Sequence, residues 1–202
     1  MSEATPLIVG LGGTMTSRSS SERTLRHVLS ECEAAGAETL AFDGAALDLP
    51  MYGWGEPRSD KAQALIAALR RADGVIIASP GYHGTVSGLV KNALDYVEDM
   101  AKDERPYFEG RAVGLIAVAA GWQATGTTLA TLRAIVHALR GWPTPMAVTV
   151  NSQLPVFGED GRVTDDALCR QLSILARQVV EFARMKALHD LSRAAAGLTR
   201  DP

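Results

Sequence analysis

Apolar residues fall in two alternating patterns along this chain. Unbroken runs rich in Val, Ile and Leu stand at 6–12 (PLIVGLG), 74–79 (GVIIAS) and 112–120 (AVGLIAVAA), with further short runs at 37–43 (AETLAFD) and 146–151 (MAVTVN). Between them, apolar positions recur every three or four residues. Leu25, Val28, Leu29 and Cys32 do so within 21–35, and Val86, Leu89, Val90, Ala93, Leu94 and Val97 within 86–97. Leu168, Leu172, Leu175, Val179 and Phe182 continue the pattern within 165–192. The runs read as strands covered on both faces, and the periodic segments as amphipathic helices. Helices are predicted at 21–35, 59–71, 86–97, 127–139 and 165–192, with Gly36 placed to stop the first. Residues 44–58 read as a long loop punctuated by Gly and Pro, and 193–202 as a flexible tail.

Strand–helix alternation implies right-handed βαβ units in an open, doubly wound α/β fold with a five-stranded parallel sheet. The length of 202 residues fits a single domain spanning 1–202. In such sheets ligands sit beyond the carboxyl ends of the strands. The loops after strands one, three and four are therefore the places to look for chemistry.

Composition narrows the picture. A hydrophobic share of 47% supplies a core, and a formal charge of -3 gives no electrostatic footprint for nucleic acid. The first residues lack a basic segment followed by an apolar one, and no apolar run is long enough for a bilayer, so a cytoplasmic location is expected and a membrane association is not. Cys32 and Cys169 lie far apart on apolar helical stripes, which predicts buried structural thiols. His27, His137 and His189 fall within predicted helices, and the four histidines show no metal-ligand spacing, so no metal is expected.

The first loop, GLGGTMTSRSSSERTL, combines glycines with Thr14, Thr16, Ser17, Ser19, Ser20 and Ser21, plus Arg18, and no acidic residue before Glu22. Hydroxyls, one cation and free N–H groups at a helix start suit a phosphate. Ser19 and Glu22 also have the spacing of a capping box, which satisfies the helix end with no ligand. Gly10 and Gly12 give a partial G-x-G-x-x-G, with Asp43 at the end of strand two, so a dinucleotide turn remains open beside a terminal monophosphate.

In the third loop Pro80 fixes the backbone, and Gly81, Tyr82, His83 and Gly84 can present consecutive N–H groups to a flat ligand with several acceptors. His83 reads equally as a surface or capping residue. In the fourth loop, AAGWQATGTT, Gly121 and Trp122 offer a donor and a ring, although Trp122 also reads as a core residue. Ser87 stands one place too late for G-x-S-x-G, which excludes the hydrolase reading.

Taken together, SPGYHGTVSGLVKNALDYVE (79–98) and the other two loops resemble the NADPH-dependent FMN reductase family of flavodoxin-like proteins over about residues 7–151. The carrier is the pattern S-P-x-Y-[HN]-x-x-x-x-G-x-L-K-N-x-[IL]-D-[WY]. The resemblance implies strand order 2-1-3-4-5 and FMN as cofactor. Its phosphate would lie on Thr14, Arg18, Ser19, Ser20 and Ser21, and its ring against Pro80, Gly81, Tyr82, His83 and Gly84, with Gly121 and Trp122 opposite. Thr16 stands where many relatives carry an arginine, and Gly81 replaces a frequent glutamate. The implied activity is hydride transfer from NADPH or NADH to FMN, with no catalytic acid or base needed from the protein, and reduced flavin passing on to a monooxygenase. The alternatives are an FMN-containing quinone, azo or metal-oxyanion reductase, and a non-enzymatic electron carrier of flavodoxin type. A homodimer or homotetramer, formed near the 86–97 stripe, is also implied.

Overall fold

The computed structural model describes residues 5–197. Strand β1 (Leu7–Gly12) leads to helix α1 (Ser20–Ala34), β2 (Glu38–Asp43), a 3-10 turn (Gly44–Leu47) and α2 (Asp60–Arg71). Then come β3 (Gly74–Tyr82), β4 (Thr85–Val86), α3 (Gly88–Asp95), a second 3-10 turn (Tyr96–Met100) and β5 (Ala112–Ala119). The chain closes with α4 (Trp122–Ala138), β6 (Trp142–Pro143), β7 (Val148–Asn151) and α5 (Asp166–Ala195). The last helix runs past its predicted end at 192. Residues 198–202 of the expected tail lie outside the described residues.

The parallel sheet runs β2-β1-β3-β5, and both β6 and β7 lie on the far side of β5. Counted as one position, these two segments give the order 2-1-3-4-5. The outer strand is split because Pro143 and Pro145 cannot donate to a ladder. Thr144 still donates its N–H to the Val113 carbonyl at 3.1 Å. The Met146 N–H turns away to the Gln178 side chain on α5, at 2.9 Å.

The central strands are apolar throughout because alternate residues meet different helix layers. Leu7, Val9 and Leu11 of β1, Val75 and Ile77 of β3, and Val113 and Leu115 of β5 pack with α2, α3 and α4. Ile8, Ile76, Ala78, Ile116 and Val118 pack with α1 and α5. Edge strand β2, by contrast, has no fully buried position and carries Glu38, Thr39 and Asp43. The 86–97 stripe belongs to the first layer: Val90, Ala93, Leu94 and Val97 are buried against the chain's own sheet, and Leu89 is partly buried. Cys32 is fully buried and Cys169 half-buried.

At the opposite end of the sheet, Arg111 is buried with its guanidinium donating to the Ala72, Tyr107 and Arg70 carbonyls at 2.9, 2.9 and 3.1 Å. This staples the start of β3 to the start of β5, so the two strands carrying the third and fourth loops are held in register from below.

Candidate functional site

The three loops converge because β1, β3 and β5 are neighbours and all are parallel. Gly12 is pressed on β3 so closely that a Cβ there would lie 2.3 Å from the Ala78 carbonyl oxygen. Gly13, at φ +86°, turns the chain away and donates its N–H to the same oxygen at 3.3 Å. The first and third loops therefore leave the sheet side by side.

In the first loop the capping pattern forms. Ser19, extended at φ -61° and ψ 156°, accepts the Glu22 N–H on its hydroxyl at 3.2 Å. The Glu22 carboxylate reaches back to the Arg18 N–H at 2.8 Å, one residue before the usual capping-box partner. Arg18 itself is left-handed, at φ 58°. Arg26 lies between Glu22 and Asp43, with Nη2 2.7 Å from Asp43 Oδ2, and so offsets part of the charge of the two carboxylates behind the loop. Burial raises the Asp43 pKa while Arg26 pulls it down. Asp43 thus faces Arg26 in an ion pair, although its Oδ2 has no hydrogen-bond partner among the described residues.

The helix end is not used up by its cap. The N–H groups of Ser20 and Ser21 stand in the first turn, where no intrahelical acceptor exists. The Ser21 hydroxyl, buried, lies 3.2 Å from that of Ser19. Thr14 is turned inward to its own loop: its hydroxyl accepts the Thr16 N–H at 3.0 Å and donates to the Thr16 carbonyl at 3.1 Å.

The third loop is not a loose connector. Strand β3 continues past Ser79 to Tyr82, and Gly81 and Tyr82 pair antiparallel with Val86 and Thr85. His83 and Gly84 form the two-residue tip, both at positive φ (51° and 84°), as a type I′ hairpin requires. Pro80 is buried, Gly81 half-buried, and the Tyr82 ring is 53% exposed.

In the fourth loop α4 starts at Trp122, five residues before the predicted 127. Gly121 is its N-cap with no side chain to cap with, and Trp122 is 58% exposed rather than packed in the core. Gly81 brings the hairpin against this helix start: a Cβ there would lie 2.6 Å from Thr128 Oγ1 and 3.2 Å from Ala119 Cβ. Between hairpin tip and helix lies an open cleft of about 420 Å³, lined by Gly84, Ala120, Gly121, Gln123, Ala124 and Thr127.

Other polar residues of the 79–98 stretch hold these parts in place. The buried Ser79 hydroxyl accepts the Ser87 N–H at 3.1 Å, and the Ser87 hydroxyl caps α3 by accepting from Val90. Asn92 accepts the Tyr52 N–H at 2.8 Å and donates to the Pro50 carbonyl at 2.9 Å, and the Tyr96 hydroxyl donates to that carbonyl at 3.0 Å. Arg58 pairs with both oxygens of Asp99, at 2.6 and 2.8 Å, and lies over the Tyr52 ring at 4.7 Å. The 44–58 loop is thereby fastened to α3 and the turn after it. Sequence reasoning missed this function, although polar residues on an otherwise apolar helical stripe were a signal for it.

Comparison with known proteins is decided by residues 6–154, which match the sequence profile of NADPH-dependent FMN reductase. The chain belongs to the NADPH-dependent FMN reductase family. Within it, the chain is 29% identical over 128 residues to an NADPH azoreductase of Bacillus sp. (strain OY1-2), covering 62% of this chain and 67% of that one. It is 32% identical over 113 residues to an FMN-dependent NADPH-azoreductase of Staphylococcus aureus (strain USA300), where the match spans 55% of this chain and only 56% of the relative. Its fold, shared with flavodoxin-like structures, superposes on the flavoenzyme NAD(P)H:(acceptor) oxidoreductase of Paracoccus denitrificans with a TM-score of 0.73. There the identity is 18%, with 90% of this chain and 98% of that chain covered.

Proposed function

We propose that this FMN reductase family member holds FMN with its phosphate at the start of α1 and its ring between the β3–β4 hairpin and the start of α4, and oxidises NADPH or NADH. The observation that carries the reading is the convergence of two kinds of site at the ends of adjacent strands. One is the open N–H end of α1, ringed by hydroxyls, and the other is the cleft between hairpin and helix.

The chemistry of the donors fits the group. Ser20 and Ser21 N–H groups, the Ser19 and Ser21 hydroxyls and the positive end of α1 suit a dianion. Arg18 and Thr14 flank that end, and Arg26 reduces the repulsion that Glu22 and Asp43 exert. Pro80, Gly81, Tyr82, His83 and Gly84 would supply one wall for a flat ring and Gly121 with the exposed Trp122 the other; of these, Gly84 and Gly121 line the cleft itself. FMN, when bound, supplies the ring that accepts a hydride from nicotinamide. The chain's own task is to position the two rings and to donate N–H bonds to the ring edge that gains charge. It has no proton to abstract, which agrees with a site made of backbone and aromatics.

Two aromatics of the hairpin and the start of α4, Tyr82 and Trp122, are exposed. This supports a homodimer in which a second copy covers the ring. A cytoplasmic location and delivery of reduced flavin to a monooxygenase belong to the same reading. No helix of the described residues is long and apolar enough to cross a membrane. The names of the azoreductase relatives favour a second acceptor class, azo compounds taking electrons from bound FMN.

The test is reconstitution. Protein loaded with FMN and freed of excess should stay yellow and oxidise NADPH or NADH when given FMN, a quinone or an azo dye. Failure to retain FMN together with no nicotinamide oxidation would refute the reading. Retained flavin that neither nucleotide reduces would make the chain an electron carrier instead.

A further inference from the structure

A second cavity, of about 620 Å³, lies beside the phosphate loop between α1 and the 157–163 hairpin. Its walls carry Arg18, Arg23, Arg26, His27 and Arg162, with Glu22, Glu159 and Asp160 among them. The carboxylates are largely spoken for. Glu22 holds the Arg18 N–H and Arg26, and Asp160 lies 3.5 Å from Arg162. Among the described residues, neither the Arg18 nor the Arg23 guanidinium has a carboxylate at ion-pairing distance.

Arg23 is held in place rather than waving in solvent. Its guanidinium lies 5.5 Å from the centre of the Phe157 ring, and a Cβ on Gly161, which turns the hairpin at φ +83°, would lie 3.6 Å from its Nε. Arg23 Nε and His27 Nε2, one turn apart on the same helix face, are both buried and without a hydrogen-bond partner. The His27 nitrogen lies 3.9 Å from Glu31, too far for a hydrogen bond. A buried N–H of a cation left without an acceptor is costly, about 1–3 kcal/mol or more, so the Arg23 Nε–H calls for an anion, beside which His27 Nε2 can donate when it carries a proton. The cavity is also of the size that takes a nucleoside and not only an inorganic ion. Arg18 belongs both to the phosphate loop and to this cavity, so the two sites adjoin.

We infer that this cleft seats the 2′-phosphorylated adenosine end of NADPH, with Arg23 as the phosphate anchor, and so sets the preference between NADPH and NADH. The inference rests on the nicotinamide oxidation proposed above. The shared chemistry is a phosphoadenosine, which FAD could also supply through its AMP half.

The experiment is calorimetric titration of the FMN-loaded chain with 2′,5′-ADP, 5′-AMP and inorganic phosphate, repeated on Arg23→Gln and on the rim variant Arg162→Gln. Binding of 2′,5′-ADP at least tenfold tighter than 5′-AMP, weakened about tenfold or more by Arg23→Gln, is the expected result. The same variant should lower kcat/KM for NADPH about tenfold relative to that for NADH. If Arg23→Gln does not fold, Arg162→Gln should weaken 2′,5′-ADP in the same sense by a smaller factor. No binding of 2′,5′-ADP, or binding indifferent to both variants, overturns the inference even where NADPH is oxidised. Equal binding of 5′-AMP and 2′,5′-ADP, with FAD displacing FMN, overturns it in favour of an FAD site. If neither nucleotide is oxidised, the oxidoreductase reading fails, and discriminating binding of 2′,5′-ADP still establishes the cleft as its site.

Discussion

Thr128 tests how the two walls of the proposed ring site are joined. It is fully buried on the first turns of α4, and its hydroxyl has no partner among the described residues. The backbone at Gly81 presses on that oxygen from the hairpin side. A buried hydroxyl without a partner costs about 1–3 kcal/mol, and Val has the same shape without the polar atom. Thr128→Val is therefore expected to stabilise the flavin-free protein by about 2 kcal/mol, or roughly 4–8 °C in Tm for a chain of this size. Thr128→Ser keeps the hydroxyl and loses a buried methyl, so it should destabilise by about 1 kcal/mol. Urea denaturation of the three proteins, with equal m-values as the check on two-state behaviour, measures both differences. A Val variant less stable than wild type, by as much as the Ser variant, would show that the hydroxyl is satisfied and would refute the reasoning.

Gly81→Ala forces a methyl towards Thr128 Oγ1, Ala119 Cβ and the Ala124 carbonyl, at 2.6, 3.2 and 3.3 Å. It should cost about 1–3 kcal/mol and weaken FMN retention, as read by fluorescence of released flavin. Arg58 holds the Asp99 carboxyl below the usual carboxylate range, mainly through their hydrogen bonds. That stability is present above the ordinary carboxylate pKa and lost as pH falls through the depressed one; Arg58→Gln should abolish the acid-side loss and speed proteolysis near the exposed Trp54, followed by mass spectrometry. Burial pushes the Cys32 thiol from 9.0 up to about 12. Its contribution is complete below pH 9 and falls as pH rises towards 12, so the stability gap between wild type and Cys32→Ala should narrow over that window in alkaline denaturation curves. For the same reason Cys32 should resist iodoacetamide at pH 8 until the protein unfolds.

The layered sheet was legible because burial on both faces leaves unbroken apolar runs, as at 74–79, and because α1 and α5 show clean helical spacing. Ser19 and Glu22 were legible as a cap because the partners are three residues apart. The start of α4 was not. QATGTT reads as a loop, since Gly and Thr are poor helix formers. In the fold Thr125 and Thr127 turn their hydroxyls back to the Trp122 and Gln123 carbonyls, and the helix starts regardless. The hairpin at His83 and Gly84 was hidden because His-Gly is a weaker turn signal than the Asn-Gly or Asp-Gly that usually marks a type I′ hairpin. The neighbourhood of Arg23 was invisible in principle: the residues opposite it, Phe157 and Gly161, are more than a hundred positions away.

The continuation of β3 into the hairpin has a consequence for how this site can change. The rib that carries Tyr82, His83 and Gly84 grows out of a central strand buried from Gly74 to Pro80, so much of its stiffness comes from below. Its side chains outside Gly81 touch little else, Tyr82 and His83 being exposed. On the proposed placement of the ring, exchange of Tyr82 or His83 alters what meets an oxidant while leaving folding to the strands beneath, which makes these two positions a natural place for acceptor preference to diverge between related proteins.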